Sequence, residues 1–432
     1  MPFLHIFKKI GKFCVQKFLE PLVKLKLART RPTIIGITGS FGKTSTKEAI
    51  YEVLNTHWPV ERSQKSLNTE IGLLLAVLHQ SSGFSSPAKW IKILVCAVLN
   101  AFFGRKSDFL ILEYGADKPG DIAHLVKIVK PHIAVITHIS AVHQDKNQFK
   151  NIEEVFNEKK KIALVLDSSG IAILNRNDKF LQQLDAKLRA KIFWFNSMEP
   201  SINGIRADNL KNTHTGFSAT IHMGSQKADA HFCVAGGYHI DIFLPAILCG
   251  ILQGLTLQES VKALENFRLQ PGRMSILEGK NGCTILDSSY NASPETMREA
   301  LNLLKDFPGK RKIAVIGNMN ELGECSREEH IKIAHYISSE WLDELITVGE
   351  LAHIIASECL KKGFLGSKIK LLLSSGEAGK YLLSKNLKNG DVILFKGSQN
   401  RVRLERAVKM LMAHPEQAKR LLCRQEPEWE IN

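Results

Sequence analysis

Apolar residues along this chain follow two alternating rhythms. Short β-branched runs such as Thr33-Ile-Ile-Gly-Ile37 read as strands buried on both faces, and longer stretches with apolar positions three and four apart read as helices. The pattern predicts strands over 33–37, 109–113, 133–137 and 170–174, with helices over 46–54, 119–130 and 151–166 among them. Strands separated by helices build a mostly parallel sheet wrapped on both faces. Residues 190–235 depart from this rhythm. Their segments are short, polar and apolar positions alternate, and turn residues are frequent, so a strand-rich, antiparallel addition is expected. Helical patterning returns over 241–267.

Gln270-Pro-Gly272 marks a boundary. Beyond it a second α/β set is expected, with strands at 283–287, 313–317, 345–348 and 392–395 and helices at 294–306, 327–340, 350–361 and 376–386. The charged tail after His414 is expected to be a surface helix that frays. A chain of 432 residues exceeds one ordinary core. The expected fold class is α/β: a basic N-terminal helical segment over 1–32, a central phosphate-loop (P-loop) domain with a mostly parallel sheet over 33–271, and a Rossmann-like α/β domain over 272–432.

Composition alters this picture only through charge. Hydrophobic residues make up 44% and charged residues 23%, as in soluble globular proteins. No apolar run approaches the ~20 residues that span a bilayer. The eight cysteines are scattered singly, which argues against a structural zinc site or a disulfide framework and fits a reducing cytoplasm. Lys and Arg number 58 against 43 Asp and Glu, for a net charge of +15. Residues 1–31 carry eight of the basic residues and one acid, Glu20, with apolar positions in a loose helical rhythm broken at Pro21. Two readings stay open for this segment: peripheral contact with an anionic membrane surface, or packing on its own domain. Its lysine-interrupted apolar stretch is not a secretory signal. The basic excess lacks the interleaved aromatics of a single-strand-binding surface, so no nucleic-acid partner is expected.

The candidate chemistry begins at Thr38-Gly-Ser-Phe-Gly-Lys-Thr44, between a strand and a helix. The common phosphate-loop pattern has a glycine where Ile37 stands, so this is a shorter variant. Its physics is the same. Gly39, Ser40, Phe41 and Gly42 turn backbone N–H groups toward an anion, and the following helix aims its N-terminus there. Lys43 would neutralise the β- and γ-phosphates of a bound nucleotide, with Thr44 and Ser45 beside it and the Thr44 hydroxyl meeting Mg²⁺. Glu113 closes a strand at the edge where open α/β sheets bind ligands and could hold Mg²⁺, or could be a capping or ion-pairing acid. Composition does not separate His143 from His138. Lys159, in Glu158-Lys-Lys-Lys161, has the local character of a solvated lysine run.

These residues join a wider pattern. The runs ITGSFGKTSTKE (37–48), LNTEIGLLLAVL (67–78), LEYGADKPGDI (112–122), EKKKI (158–162), ILDSSYNASPETM (285–297) and LFKGSQNRVRLE (394–405) follow one another in an order that resembles the Mur ligases over residues 33–412. The resemblance implies an ATP-dependent ligase that forms an amide bond through an acyl phosphate. Within the family it points to the branch that adds D-alanyl-D-alanine to a muramoyl-tripeptide precursor of the cell wall, acting as a cytoplasmic monomer. It implies Thr44 and Glu113 as ligands of one Mg²⁺ and His143 as a ligand of a second. Lys159 would be carbamylated and so become an anionic metal ligand. Tyr290 and Asn291 would lie against adenine, and Arg273 would reach the ATP phosphates. Asn68, Thr69 and Lys396 would lie near the substrates. Ser288, Asn318 and Lys161 stand where the family commonly has acids. The resemblance does not extend to the family's N-terminal UDP-sugar-binding domain, so it assigns no holder for the acceptor's nucleotide end.

Overall fold

The computed structural model describes residues 2–63, 67–81, 87–140, 148–196, 203–213, 215–398, 402–425 and 429, with side chains from 13 onward in the first helix and from 89 in the fourth. Two sheets organise the chain. The first has nine strands: β1 (Thr33–Thr38), β2 (Val60–Arg62), β3 (Phe109–Glu113), β4 (Ile133–Ile136), β5 (Ile171–Asn175), β6 (Lys191–Phe195), β7 (Gly204–Thr213), β8 (Gly216–Met223) and β9 (Gln226–Phe232). Their order is β2-β3-β1-β4-β5-β6-β7-β8-β9. Every pairing from β2 to β7 is parallel, and the β7–β8 and β8–β9 pairings are antiparallel. The antiparallel addition expected over 190–235 is therefore present as β7–β9.

The central strands are apolar on both faces because both are covered. Ile34 of β1 faces one core with Leu110, Leu112 and Ile136, whereas Ile35 and Ile37 face the other with Ile111 and Val135. Helices α1 (Pro2–Thr30), α3 (Glu70–Val77), α4 (Pro87–Phe103), α5 (Asp121–Ile128) and α6 (Ile152–Lys159) supply the first core, while α2 (Lys43–Leu54) and the helix Ile240–Leu252 supply the second. Neither α3 nor α4 was expected as a helix.

The N-terminal helix runs unbroken through Pro21, which corrects the expected break. Proline cannot donate to the preceding turn, but Pro21 is exposed, where water can satisfy the freed carbonyl. Its inner stripe is Leu19, Val23, Lys26 and Thr30, all buried. Lys26 Nζ lies 2.9 Å from Glu61 Oε2 and donates to the carbonyl of Val77, also at 2.9 Å, which ties α1 to β2 and α3. Packing on its own domain is thus real for that face.

The second sheet comprises β10 (Ser275–Glu278), β11 (Thr284–Ser288), β12 (Arg311–Gly317), β13 (Glu344–Val348), β14 (Ile369–Leu372) and β15 (Asp391–Lys396), in the order β10-β11-β15-β12-β13-β14. Only β10 runs antiparallel. The carboxyl ends of β11 and β15 place Ser288 beside Lys396.

The tail corrects the expectation of a frayed surface helix. Leu422, Cys423 and Arg424 are buried. Glu405 receives Arg424 at 3.0 Å and Arg403 at 3.1 Å, and Arg424 also donates to the carbonyls of Ser289 and Tyr290. Removing one member of such a buried charge cluster strands the others. The substitution Arg424→Ala is expected to destabilise the protein by about 3 kcal/mol or more, read as a fall in the urea midpoint, whereas Arg420→Ala on the exposed side of the tail is expected to leave the midpoint unchanged.

Candidate functional site

The strand β1 ends at Thr38 and turns into residues 39–42 before α2 begins. Gly39 (φ 148°) and Gly42 (φ 81°) take conformations that side chains disfavour. A Cβ on Gly39 would also lie 2.0 Å from Thr137 Oγ1. Gly42 is the N-cap of α2 and offers no side-chain cap, so the first amides of that helix keep their donors for a ligand. The loop is held from the neighbouring strand end. Thr137 Oγ1 donates to the carbonyl of Phe41 at 2.6 Å, Ser40 N–H to the carbonyl of His138 at 2.7 Å, and Ser140 N–H to Ser40 Oγ at 2.9 Å.

This loop forms one wall of a cleft of about 710 Å³ between the two sheets. From the first sheet the wall continues with Asn68, Glu113, Asp117, His138, Tyr238 and Asp241. The opposite wall brings Arg273, Tyr290, Asn291, Arg298 and Lys396.

Lys43, Arg273, Arg298 and Lys396 line the cleft together with the acids Glu113, Asp117, Asp241, Glu295, Glu299 and Glu321. Lys43 Nζ donates to the carbonyl of Gly39 at 2.8 Å. Burial pulls the Lys43 ammonium down from the usual lysine range, Glu113 opposes this, and Arg273 adds to it. Lys159 is buried on α6, and its ammonium makes no hydrogen bond or ion pair among the described residues. Burial, reinforced by repulsion from Lys43, holds it well below the usual lysine range, toward the neutral amine. Arg273 stacks on the Tyr290 ring at 4.2 Å, and its buried Nε has no hydrogen-bond partner among the described residues. Lys396 Nζ donates to the carbonyl of Asn291 at 2.7 Å and to Ser288 Oγ at 3.2 Å. Burial, with Arg273 nearby, brings Lys396 down to about 7, against the pull of Asp287. Burial pushes Asp287 up to about 6.

Glu113 is buried at the carboxyl end of β3, with Oε2 at 3.1 Å from Thr44 Oγ1 and Oε1 at 3.1 Å from Lys47 Nζ. A hydroxyl and a carboxylate oxygen so close together suit a hard divalent cation such as Mg²⁺, so these residues fit the ion that the sequence implied.

The other expected site residues fall as follows. Ser45 is largely buried and lines the cleft beside Thr44. Thr69 caps α3, accepting from Gly72 N–H at 3.3 Å, and is not among the cleft residues. His143 lies outside the described residues. His138 lies in the cleft with Nδ1 3.3 Å from Asp178 Oδ2. Ser288 Oγ accepts from Lys396 Nζ, and Asn318 Oδ1 accepts from Ala352 N–H at 2.9 Å. Lys161 pairs at 2.6 Å with Glu158, whose other contacts are the amides of Gly120, Ile122 and Ala123 at the start of α5.

Sequence reasoning missed Lys47, Thr137 and Asp241. Lys47 is fully buried, donates to the carbonyl of Ser63 at 2.7 Å and neutralises Glu113. Its spacing of four from Lys43, on the same face of α2, was the available signal.

Comparison with known proteins follows the same division. Residues 37–250 match the Mur ligase middle domain and residues 272–399 match the Mur ligase glutamate ligase domain. The UDP-N-acetylmuramoyl-tripeptide–D-alanyl-D-alanine ligase of Bacillus subtilis is 27% identical over 92% of this chain and 79% of its own length. The Escherichia coli enzyme of the same name is 25% identical over 79% and 71%. The MurF ligase of Thermotoga maritima in complex with ADP superposes with a TM-score of 0.74 at 25% identity, covering 94% of this chain and 84% of that one.

The depressed Lys396 gives a signed pH dependence. Between about pH 7 and the free-lysine range, the unfolded chain carries a proton that the folded chain has shed. Unfolding therefore takes up a proton, and raising the pH opposes it. The stability of the ligand-free protein relative to Lys396→Met is expected to rise from pH 7 to 10, measured as the difference between their melting temperatures; a flat or falling difference would contradict the depressed value.

Proposed function

Because the chain belongs to the Mur ligase family, we propose that it couples ATP cleavage to formation of an amide bond between a muramoyl-tripeptide carboxylate and D-alanyl-D-alanine. The observation that carries this reading is the cleft, in which the phosphate loop of one sheet faces Arg273, Tyr290 and Lys396 of the other. In this reading residues 33–271 form the ATP-binding domain and residues 272–432 the domain that receives the amine. The segment 1–31 makes peripheral contact with the inner face of the membrane, and the protein works as a monomer.

The triphosphate is cradled by the amides of 39–45, with Lys43 on its outer oxygens and Arg273 reaching it from the second sheet. Tyr290 and Asn291 border the adenine. Thr44 and Glu113 hold one Mg²⁺, and His143 with a carbamylated Lys159 holds a second. When bound, these ions neutralise charge on the transferring phosphoryl group. The substrate carboxylate attacks the γ-phosphorus as the bond to ADP breaks. The dipeptide amine then attacks the acyl carbon, and phosphate leaves. Lys43 and Arg273 fix and neutralise the phosphoryl oxygens during the first step, which is positioning with electrostatic stabilisation. Asn68 lies toward the acceptor, with Thr69 behind it capping α3, and Lys396 lies toward the dipeptide. A cleft closed between the two sheets keeps water from the acyl phosphate.

Carbamylation needs a neutral amine to attack CO₂, giving a carbamate and releasing a proton. Lys159 is buried with no hydrogen bond or ion pair among the described residues, which supports that role, since neutralising it removes both its desolvation cost and its repulsion from Lys43.

Two measurements test the reading. Phosphate release from ATP is expected only when muramoyl-tripeptide acceptor and D-alanyl-D-alanine are both present, and to fall about 100-fold or more in Lys43→Ala; no release with any pairing of acceptors and amines would overturn the ligase reading. Enzyme stripped of CO₂ is expected to lose activity and regain it with added bicarbonate, whereas Lys159→Arg is expected to be inactive with or without bicarbonate.

A further inference from the structure

The face of α4 turned to solvent is built of the wrong residues for water. On a wheel of 100° per residue, Ile91, Phe102, Val95, Leu99, Lys92 and Phe103 fall within one 120° arc, and all six are exposed. Five are large and apolar, with Ile91 at 67% and Phe103 at 81% exposure. The opposite arc, Ile93, Ala97 and Ala101, is the one that enters the core. A single exposed leucine would be unremarkable, but a whole outward stripe signals an interaction surface.

Helix α1 extends the stripe. Of its exposed large apolar residues, Phe18 and Leu25 lie at the same azimuth as Arg29, within about 40° by the same helical geometry, whereas Phe13 lies about 140° round the helix from Phe18. Arg29 donates to the carbonyls of Ala101 and Gly104, so that side of α1 is the one that meets α4. The surroundings are basic. Residues 87–106 contain Lys89, Lys92, Arg105 and Lys106 and no acid. On α1, Lys17 and Lys24 are exposed, and the lone acid Glu20 is paired with Lys17 at 3.4 Å.

We propose that α1 and α4 together form a docking surface for an anionic lipid bilayer. This deepens the peripheral membrane contact of residues 1–31 proposed above by assigning the apolar contact chiefly to α4, and it is independent of which amide bond the enzyme makes. The charge pattern selects this occupant. A second copy of the chain would set this basic surface against itself, whereas anionic headgroups complement it and the acyl boundary receives the apolar stripe. No described helix is long and apolar enough to cross a membrane, so the pair lies along the surface.

The test is flotation of the full chain with vesicles of phosphatidylcholine alone or with 30% phosphatidylglycerol. The wild type is expected to float with the anionic vesicles only, and less at 0.5 M salt. Val95→Glu with Leu99→Glu, both at solvent-facing positions, is expected to weaken binding at least tenfold with an unchanged melting temperature. Lys17→Glu with Lys24→Glu is expected to weaken it while leaving the apolar stripe intact. The pair Leu371→Glu with Leu373→Glu, exposed apolar positions at the edge of the second sheet, is expected to have no effect. Retained binding in the α4 variant, lost only on deletion of residues 1–31, would overturn this inference and leave the simpler reading standing. Absence of binding to anionic vesicles would overturn both. A lipid-free dimer dissolved by the α4 substitutions would show that a second copy, not a membrane, covers the stripe.

Discussion

Four cations gather in and beside one cleft that also carries acids, and burial works against the charge of three of them. Lys43, Lys159, Arg273 and Lys396 come from different elements of both sheets, yet each lowers the affinity of a neighbour for its proton or has its own lowered. Burial alone would be costly for any of them. Glu113 is the main carboxylate set against Lys43, and it is shared with Lys47 and the Thr44 hydroxyl. Such an arrangement is stable only because the two α/β cores hold it, and it is relieved by a polyanion. A triphosphate laid on the amides of 39–45 would draw Lys43 and Arg273 to one ligand. The architecture follows from this requirement: the glycine loop, the uncapped start of α2 and the face of the second sheet are three ways of turning positive potential inward.

The second sheet takes part through a chain of hydrogen bonds rather than through one residue. Ser398 Oγ donates to the carbonyl of Ala292 and accepts from Asn320 N–H, while Lys396 takes the carbonyl of Asn291. From the other side, Arg424 holds the carbonyls of Ser289 and Tyr290 and is itself held by Glu405. The segment 288–293 is therefore clamped from the β15 turn and from the tail. Its backbone polar groups are spent on structure, and the Tyr290 ring and the Asn291 side chain are left to face the cleft.

Legibility followed the physics of burial. Strands flanked by glycine or proline and buried on both faces were readable nearly to the residue, as at 109–113, because a continuous apolar run has few other meanings there. The helix Pro294–Asp306 was readable because its stripe is strong and Ser293 caps it. The segments that escaped are those whose environment inverts the usual pattern. Helix α3 is buried nearly all round, so it shows no periodicity. The edge strand β14 has its side chains largely in water. In the site, the loop announced itself through glycine and lysine spacing. Lys159 did not, because a run of three lysines looks solvated until the fold shows which one points inward; Lys161 goes to Glu158 and Lys160 to Asn157, and Lys159 alone enters the core. The tail misled for a related reason, since a charged sequence hides an arginine buried against a carboxylate.

The same inversion separates the two faces of the N-terminal helix. Its buried stripe contains a lysine, Lys26, and its exposed arc contains Phe18 and Leu25. A polar group is tolerated inside only when paired, and Lys26 is, with Glu61 and a carbonyl. The exposed apolar residues have no equivalent compensation among the described residues, and neither do those of α4. Composition could pose packing and membrane contact as alternatives because it sees both sets of residues at once. The fold assigns them to different arcs of one helix, about 110° apart, so the two cease to compete: packing accounts for the inner arc and leaves the outer one still to be covered.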